Sequence, residues 1–327
     1  MSRTSIIGTG SYAPAKVLTN RDLEKRVQTS DEWIVERTGI RERRVAADDE
    51  AASDLALAAA LPALELASTR ADELDLIVVG TISADMPMPS CAAFLQAKLG
   101  ATKAFAFDVS AACAGSIYAL SIADQFIRSG TARRALVVGV EVLTRIVDWE
   151  DRNTCILFGD GAGAAVLGPS ADPDRGLLSA HLHSDGRAAP MLWIPGGGSK
   201  TPLTHEGLDQ KLNKVAMNGK EVFKYAVRAL TDVSHEALAA NGLTAAQLDH
   251  VIAHQANIRI IDAVLQRIGV PREKCWLNIE KYGNTSSASL PMSLDEANRA
   301  GKLRPGDLVL MLAIGAGLAW GGAVVRW

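Results

Sequence analysis

Two stretches of the 327-residue chain carry one pattern. Leu74-Asp75-Leu76-Ile77-Val78-Val79 reads as a buried strand after an Ala-rich helix, and Leu248-Asp249-His250-Val251-Ile252-Ala253 restates it 174 positions later. Further on, an amphipathic helix ending at Gly130 and the strand Ala135 to Val140 match Gly301 and the strand Leu308 to Ile314, now with an offset of 171. The second offset lays Cys113 on Asn284. Each sits where small residues (Ala111, Ala112, Ala114 and Gly115; Gly283, Ser286, Ser287 and Ala288) turn into a helix. Such a turn aims backbone N–H groups and the positive end of a helix dipole at whatever the side chain does. A strand-turn-helix unit present twice restricts the fold to two similar halves, one presenting a Cys and the other an Asn.

Those halves are α/β. Helix-period segments (Ala51 to Ala67, Ser116 to Ser129, Glu221 to Asn241, Arg259 to Ile268, Met292 to Ala300) alternate with short apolar runs such as Leu76 to Gly80, Ala104 to Val109, Ala164 to Leu167, Leu177 to His181 and Val251 to His254. Continuously apolar strands predict sheets covered by helices on both faces. Turn formers cluster from Pro169 to Arg175, so the halves are taken as residues 1–172 and 173–327. Pro195 to Gln210 is polar and loop-like, the segment expected to move. Leu308 to Val325 runs without a charge, close to the shortest membrane span. Gly315, Gly317, Gly321 and Gly322 interrupt it and predict two buried strands joined by a turn.

With 48% hydrophobic and 22% charged residues, the chain can build a substantial core. A formal net charge of −3 with no long basic run argues against a nucleic-acid partner; an acidic partner has to be met by a local patch. Cys91, Cys113, Cys155 and Cys275 lack metal-ligand spacing, and no apolar targeting run opens the chain. A reduced cytoplasmic setting, without disulfides and away from membranes, is expected.

Three signatures lead nowhere. Gly159-Asp160-Gly161-Ala162-Gly163 resembles the start of a dinucleotide fingerprint, but Ala164 to Leu167 reads as a strand where that fingerprint needs a helix. Gly196 to Thr201 lacks the spacing of a phosphate-binding loop. His181 and His183 share one face of a strand with no third ligand, so no metal is expected. The constellation that remains is Cys113, His254 and Asn284. A thiol at a helix N-terminus is expected to have its pKa lowered and to act as a nucleophile toward carbonyl carbon. His254 follows the strand Val251 to Ala253 at a sheet's edge, and Asn284 lies in a turn. Alone, each has an ordinary structural role; together they suggest chemistry.

With these residues in view the chain resembles the thiolase superfamily, and within it most closely the β-ketoacyl-acyl carrier protein synthase III family. The resemblance runs end to end. It is carried by Ile7-Gly8-Thr9-Gly10-Ser11-Tyr12, Thr29-Ser30-Asp31-Glu32-Trp33-Ile34, Arg37-Thr38-Gly39-Ile40-Arg41-Glu42-Arg43, Ala111-Ala112-Cys113-Ala114-Gly115, Phe158-Gly159-Asp160-Gly161-Ala162-Gly163, His254-Gln255-Ala256-Asn257, Gly283-Asn284-Thr285-Ser286 and Gly317-Leu318-Ala319-Trp320-Gly321. It implies a thiolase-like five-layer αβαβα fold of two duplicated halves, assembled as a homodimer. It also implies that Cys113 is acylated by a short acyl-CoA, acetyl-CoA first, and that malonyl-acyl carrier protein then binds. His254 and Asn284 would stabilise the enolate left by loss of CO2, and the enolate would attack the acyl group. Neutral donors suit that step, since a carboxylate would repel the developing charge. The backbone N–H of Cys113 and the Gly315-Ala316-Gly317 turn would hold the oxyanion of acyl transfer. No cofactor is implied; the CoA thioester is substrate.

The resemblance further assigns CoA contacts to Trp33 and Arg152, sandwiching the adenine, to Arg37 at a phosphate and to Asn257 at the pantetheine arm. Carrier docking falls on Gln255, Ala256, Asn257, Ile258 and Arg259, with Lys220 and Lys224 extending the patch. Met88, Leu143 and Phe158 are expected at the acyl pocket. Met88 stands where some relatives have an aromatic, in a loop expected to reach the partner's pocket, and Ala316 replaces a Gly found in some relatives. Two other readings stay open: a secondary-metabolism synthase using another acyl-CoA or acceptor, and a catalytically silent carrier-binding subunit, against which the intact Cys-His-Asn set argues.

Overall fold

The computed structural model describes residues 3–327. Two sheets organise it. The first contains β1 (Thr4–Tyr12), β2 (Leu76–Gly80), β3 (Phe105–Val109), β4 (Ala135–Glu141) and β5 (Gly161–Pro169) in the order β1-β5-β4-β2-β3. The second contains β6 (Gly176–Ser184), β7 (His250–Ala253), β8 (Leu308–Gly315) and β9 (Ala319–Arg326) in the order β7-β8-β9-β6. Matching β1 with β6, β5 with β9, β4 with β8 and β2 with β7 superposes both the order and the pattern of two antiparallel pairings followed by one parallel pairing. Even β3 has a remnant counterpart, a lone parallel bridge between Val251 and Cys275.

Successive side chains of a strand point to opposite faces, and here both faces are covered. In the first sheet Ile77, Val79, Leu136 and Val138 pack on α1 (Ala52–Leu66) and α2 (Cys91–Leu99), while Leu76, Val78, Val137 and Leu167 turn inward. In the second, Val251, Leu310 and Leu312 pack on α4 (Gly219–Ala240) and α5 (Ile258–Ile268), while Ile252, Val309, Met311 and Ala313 turn inward. The inward faces enclose α3 (Gly115–Arg128) and α6 (Ser289–Arg299), one helix from each half, through Ile117, Leu120, Leu290 and Leu294. The result is five layers, helix, sheet, helix, sheet, helix. A fourth apolar cluster, including Leu18, Ile34, Leu143, Ile156 and Phe158, forms a cap over one end of the central layer.

The turns feeding the two central helices correct the sequence overlay. Ala112–Ala114 forms a 3-10 turn with φ +45° at Ala112 and runs into α3; Ser286–Ala288 forms the same turn with φ +49° at Ser286 and runs into α6. The turns correspond at the offset of 174, so Cys113 matches Ser287, and Asn284 lies two residues before its turn. The switch to 171 occurs in the helix itself, 14 residues in α3 against 11 in α6. Gly161 to Gly163 lies in β5, and the uncharged stretch near the end of the chain is the β8-β9 hairpin. No helix among the described residues is long and apolar enough to cross a membrane.

Candidate active site

Cys113 sits at the start of a central helix, buried to 6% exposure, because strand β8 ends on top of it. Gly315 makes that approach possible: a Cβ there would lie 2.4 Å from the Cys113 nitrogen. His254 follows directly after β7 and is held by its backbone N–H to Leu312 O (2.7 Å). Asn284 is fixed by a bridge to Phe158, with Asn284 N–H to Leu157 O at 2.8 Å and Gly159 N–H to Asn284 O at 3.0 Å. The three come from different segments, yet all line one cavity of about 120 Å³, with Ile314 and Gly315 completing the wall.

Each polar side chain has one end anchored and one end free. Asn284 Oδ1 accepts from the Ser286 N–H at 2.8 Å, and its Nδ2 makes no hydrogen bond among the described residues. His254 Nδ1 lies 2.5 Å from Ser289 Oγ, which is also 2.9 Å from the Ser286 carbonyl and within 3.3 Å of the Gln255 N–H. The Ser289 hydroxyl has one proton, given either to the Ser286 carbonyl or to Nδ1; in the second arrangement the imidazole proton stays on Nε2, the nitrogen left for the cavity. Burial lowers the His254 pKa to about 3, so the ring is neutral. With the proton on Nε2 the cavity offers two uncharged donors beside a thiol, an arrangement suited to a carbonyl oxygen that gains negative charge.

The thiol departs from expectation. Burial pushes Cys113 up to about 12, against which a hydrogen bond with Ser286 and one with its own backbone N–H pull downward. A free Cys113 is thus protonated at neutral pH. Ser286 and Ala316 join Cys113 in a second, apolar cavity of about 210 Å³ with Ile82, Leu143, Phe158, Leu192 and Val215. Leu143 and Phe158, expected at the acyl pocket, line this cavity. Met88, expected in a loop that reaches the partner's pocket, is 83% exposed and lines neither cavity of its own chain. Leu192, Ile194 and Val215 flank a segment read as polar loop and were missed; the short pairing of Leu192–Trp193 with Ala216–Met217 brings them over the site.

A wider opening of about 1070 Å³ leads inward, sharing Leu157, Met217, Gly219, Phe223 and Asn257 with the Cys113 cavity. Trp33, Arg37, Lys220, Lys224 and Arg259 line it. The guanidinium groups of Arg37 and Arg152 each lie 4.7 Å from the Trp33 ring centre. Trp33 and Arg152 are therefore in direct contact, with no space between them for a third ring. Asn257 caps the first turn of α5, accepting from the Arg259 N–H at 2.9 Å. Arg259 and Lys224 are exposed, the latter paired with Glu221 at 3.0 Å. Gln255 is a correction to the docking patch. At 1% exposure it donates to the carbonyls of Ala253 and Trp276 and accepts from the N–H groups of Asn278 and Ile279, so it ties the His254 turn to a neighbouring segment and meets no partner. His181 and His183 both bond Glu236.

A fold of two duplicated sheets about a shared helix layer, with a cysteine opening one central helix, is thiolase-like, and the class it defines is the acyl-transferring condensing enzymes. Residues 107–186 match the family described as 3-oxoacyl-[acyl-carrier-protein] synthase III, and residues 238–327 match its C-terminal part. The chain is 55% identical over 325 residues to the β-ketoacyl-[acyl-carrier-protein] synthase III of Xanthomonas campestris pv. campestris, with 98% of each chain covered. Among solved structures it is similar to the 3-oxoacyl-[acyl-carrier-protein] synthase III of Aquifex aeolicus VF5, at 47% identity and TM-score 0.93 over 99% of this chain and 100% of that one. It is also similar to the priming β-ketosynthase of the R1128 polyketide biosynthetic pathway, at 38% identity and TM-score 0.91 over 99% and 96%. The chain belongs to the 3-oxoacyl-[acyl-carrier-protein] synthase III family.

Proposed function

We propose that the protein joins a short-chain acyl-CoA, acetyl-CoA first, to malonyl-acyl carrier protein, giving 3-oxoacyl-acyl carrier protein, CoA and CO2 and so initiating fatty acid chains. One observation carries this reading: Cys113, His254 and Asn284 line a single buried cavity at the inner end of an opening lined by basic residues. In the first half-reaction Cys113 takes the acyl group, which fits the adjoining apolar cavity beside Leu143 and Phe158, while the N–H groups of Cys113 and Ala316 face the oxyanion. In the second, His254 Nε2–H and Asn284 Nδ2–H hold the thioester oxygen as CO2 leaves, and the enolate carbon attacks the acyl carbon.

Arg37, Lys220, Lys224 and Arg259 at the opening favour the phosphates of CoA and the acidic face of a carrier. Asn257, at the junction of the two spaces, meets the pantetheine arm. Trp33 and Arg152 take the adenine between them after parting. Ala256, Ile258 and Arg259 remain the docking patch beside them. The halves 1–172 and 173–327 are the structural units. A homodimer is supported by the free edge of β3 and by the exposed Met86 and Met88, which are apolar groups in want of cover. The likeness to a polyketide priming enzyme favours a second reading, in which the same residues load a different primer for secondary metabolism.

Intact-protein mass spectrometry with a panel of acyl-CoAs, then with malonyl-acyl carrier protein, separates the two. An acetyl adduct absent from Cys113→Ala and discharged as the 3-oxoacyl carrier forms is the expected result. Adducts from longer or aromatic primers alone, or none that the malonyl carrier discharges, would replace the first reading by the second.

A further inference from the structure

His254 and Asn284 enter one cavity from different segments, and behind them two buried amides join those segments. Gln255 is 1% exposed and Asn278 is 3% exposed. An amide so buried is costly unless its polar atoms are met, and here each has a partner. Gln255 Nε2 donates to Ala253 O at 2.9 Å and Trp276 O at 3.2 Å, and its Oε1 accepts from the N–H groups of Asn278 and Ile279, both at 3.3 Å. Those two N–H groups open a single helical turn, Ile279–Tyr282, and the first N–H groups of a helix find no acceptor within it. The Asn278 side chain does not cap them. It turns to α6, where Nδ2 donates to Glu296 Oε2 at 2.9 Å and Oδ1 accepts from Ser293 Oγ at 3.0 Å. Glu296 also accepts from Trp276 Nε1 at 3.1 Å and from the Tyr282 hydroxyl at 2.7 Å. The turn ends at Gly283, and Asn284 follows directly.

We propose that Gln255 and Asn278 form a clamp that fixes the spacing between the His254 and Asn284 donors, which makes both of them positioning residues of the decarboxylation step; this rests on the role given to His254 and Asn284 above. Two donors serve one oxygen only when each stands about 2.7–3.1 Å from it, and a misplacement of about 1 Å costs up to about 10²-fold. The other anchors of the two residues lie apart. His254 hangs by its backbone N–H from Leu312 on β8, and Asn284 is bonded through its backbone to Leu157 and Gly159. Further back the two segments are joined by the bridge between Val251 and Cys275, so among the described residues the Gln255 amide is their last hydrogen-bonded tie before the cavity. Neither Gln255 nor Asn278 lines the Cys113 cavity, its apolar neighbour or the wider opening, so neither touches a reactant. The acyl-transfer side is built from other parts: the Cys113 turn, Ala316 after β8, and an apolar cavity to which residues 275–283 contribute nothing. A slackened clamp therefore harms decarboxylation and spares acylation.

The test separates the two half-reactions in the natural protein, Q255M, N278A and Y282F, with thermal unfolding of each. Acetylation of Cys113 by acetyl-CoA is read by intact mass; the acetyl enzyme is then mixed with malonyl-acyl carrier protein, and CO2 release and loss of the adduct are followed over a range of carrier concentrations. Q255M and N278A should slow CO2 release by roughly 10- to 10²-fold at saturating carrier, while acetylation stays within about twofold of the natural rate. In N278A the carrier concentration giving half the maximal rate should not move. Y282F loses only one bond to Glu296 and should slow CO2 release by roughly threefold. It leaves both amides in place, so with N278A it keeps the test decisive if Q255M fails to fold. Parallel losses in both half-reactions, or unchanged CO2 release in N278A, overturn the clamp and leave the reaction itself standing. A natural protein that forms no acetyl adduct, or whose adduct the malonyl carrier does not discharge, overturns both.

Discussion

In the proposed reaction His254 acts through a proton on Nε2, and the neighbour at its other nitrogen is Ser289. The ring is neutral above about pH 3, so decarboxylation of malonyl-acyl carrier protein should show no inflection near 6.5. The same burial makes the unfolded chain bind more protons than the native one below the ordinary imidazole value of 6.5, so stability falls as pH drops from there toward about 3. Ser289→Ala removes the 2.5 Å contact to Nδ1 and frees the tautomer. One hydrogen bond of about 1 to 1.5 kcal/mol is lost, so decarboxylation should slow by roughly tenfold, less than the 10²–10³ of a deleted donor. Acylation of Cys113 should be unchanged; parallel losses in both half-reactions would assign Ser289 a purely structural part. Carrier decarboxylation and Cys113 acylation, measured separately, decide it. The sequence singled out Cys113, His254 and Asn284 because motifs are local. Gln255 was misread because its burial is made by Trp276 and Asn278, segments no local pattern connects to it.

The element that matters most is the tight turn into each central helix. Ala112 in the first and Ser286 in the second adopt positive φ, a conformation costly for residues with a Cβ and kept where packing over-determines it. Strand β8 supplies that packing, so Gly315→Ala should move the Cys113 turn: a Cβ 2.4 Å from its nitrogen cannot be absorbed. Overpacking of about 1–3 kcal/mol and a large loss of acylation are expected, read by thermal unfolding and by adduct formation. Retained activity would mean the turn is slack. Element identity was legible: β2 was placed at Leu76–Gly80 and the helix predicted over 116–129 begins at Gly115. The register of the two turns was not. The three residues missing from α6 are close to one helical turn of 3.6, so the apolar face returns to the same side and the pattern gives no sign of where the turn was lost.

At the scale of the whole molecule, α3 and α6 lie between two sheets, one from each half, and neither sheet covers its inner face alone. Residues 1–172 or 173–327 made separately should therefore stay unfolded or aggregate, and the full chain should lose its structure in one transition. Circular dichroism in urea on the three proteins checks this; a half with a cooperative transition of its own would count against it. The duplication was visible from sequence, but this shared layer was not, since it depends on which faces of two distant helices meet. The basic opening has its own consequence for turnover. With Arg37 and Arg152 each 4.7 Å from Trp33, the indole is occupied before any nucleotide arrives. Seating a base between Trp33 and Arg152 means spreading them to two ring spacings, about 7 Å. The incoming base must displace a resident competitor that is tethered, always present and ready to reclaim its place. On the CoA-binding reading proposed above, spent CoA is thereby evicted from within, and the doorway is cleared for the next visitor, the arm of the carrier.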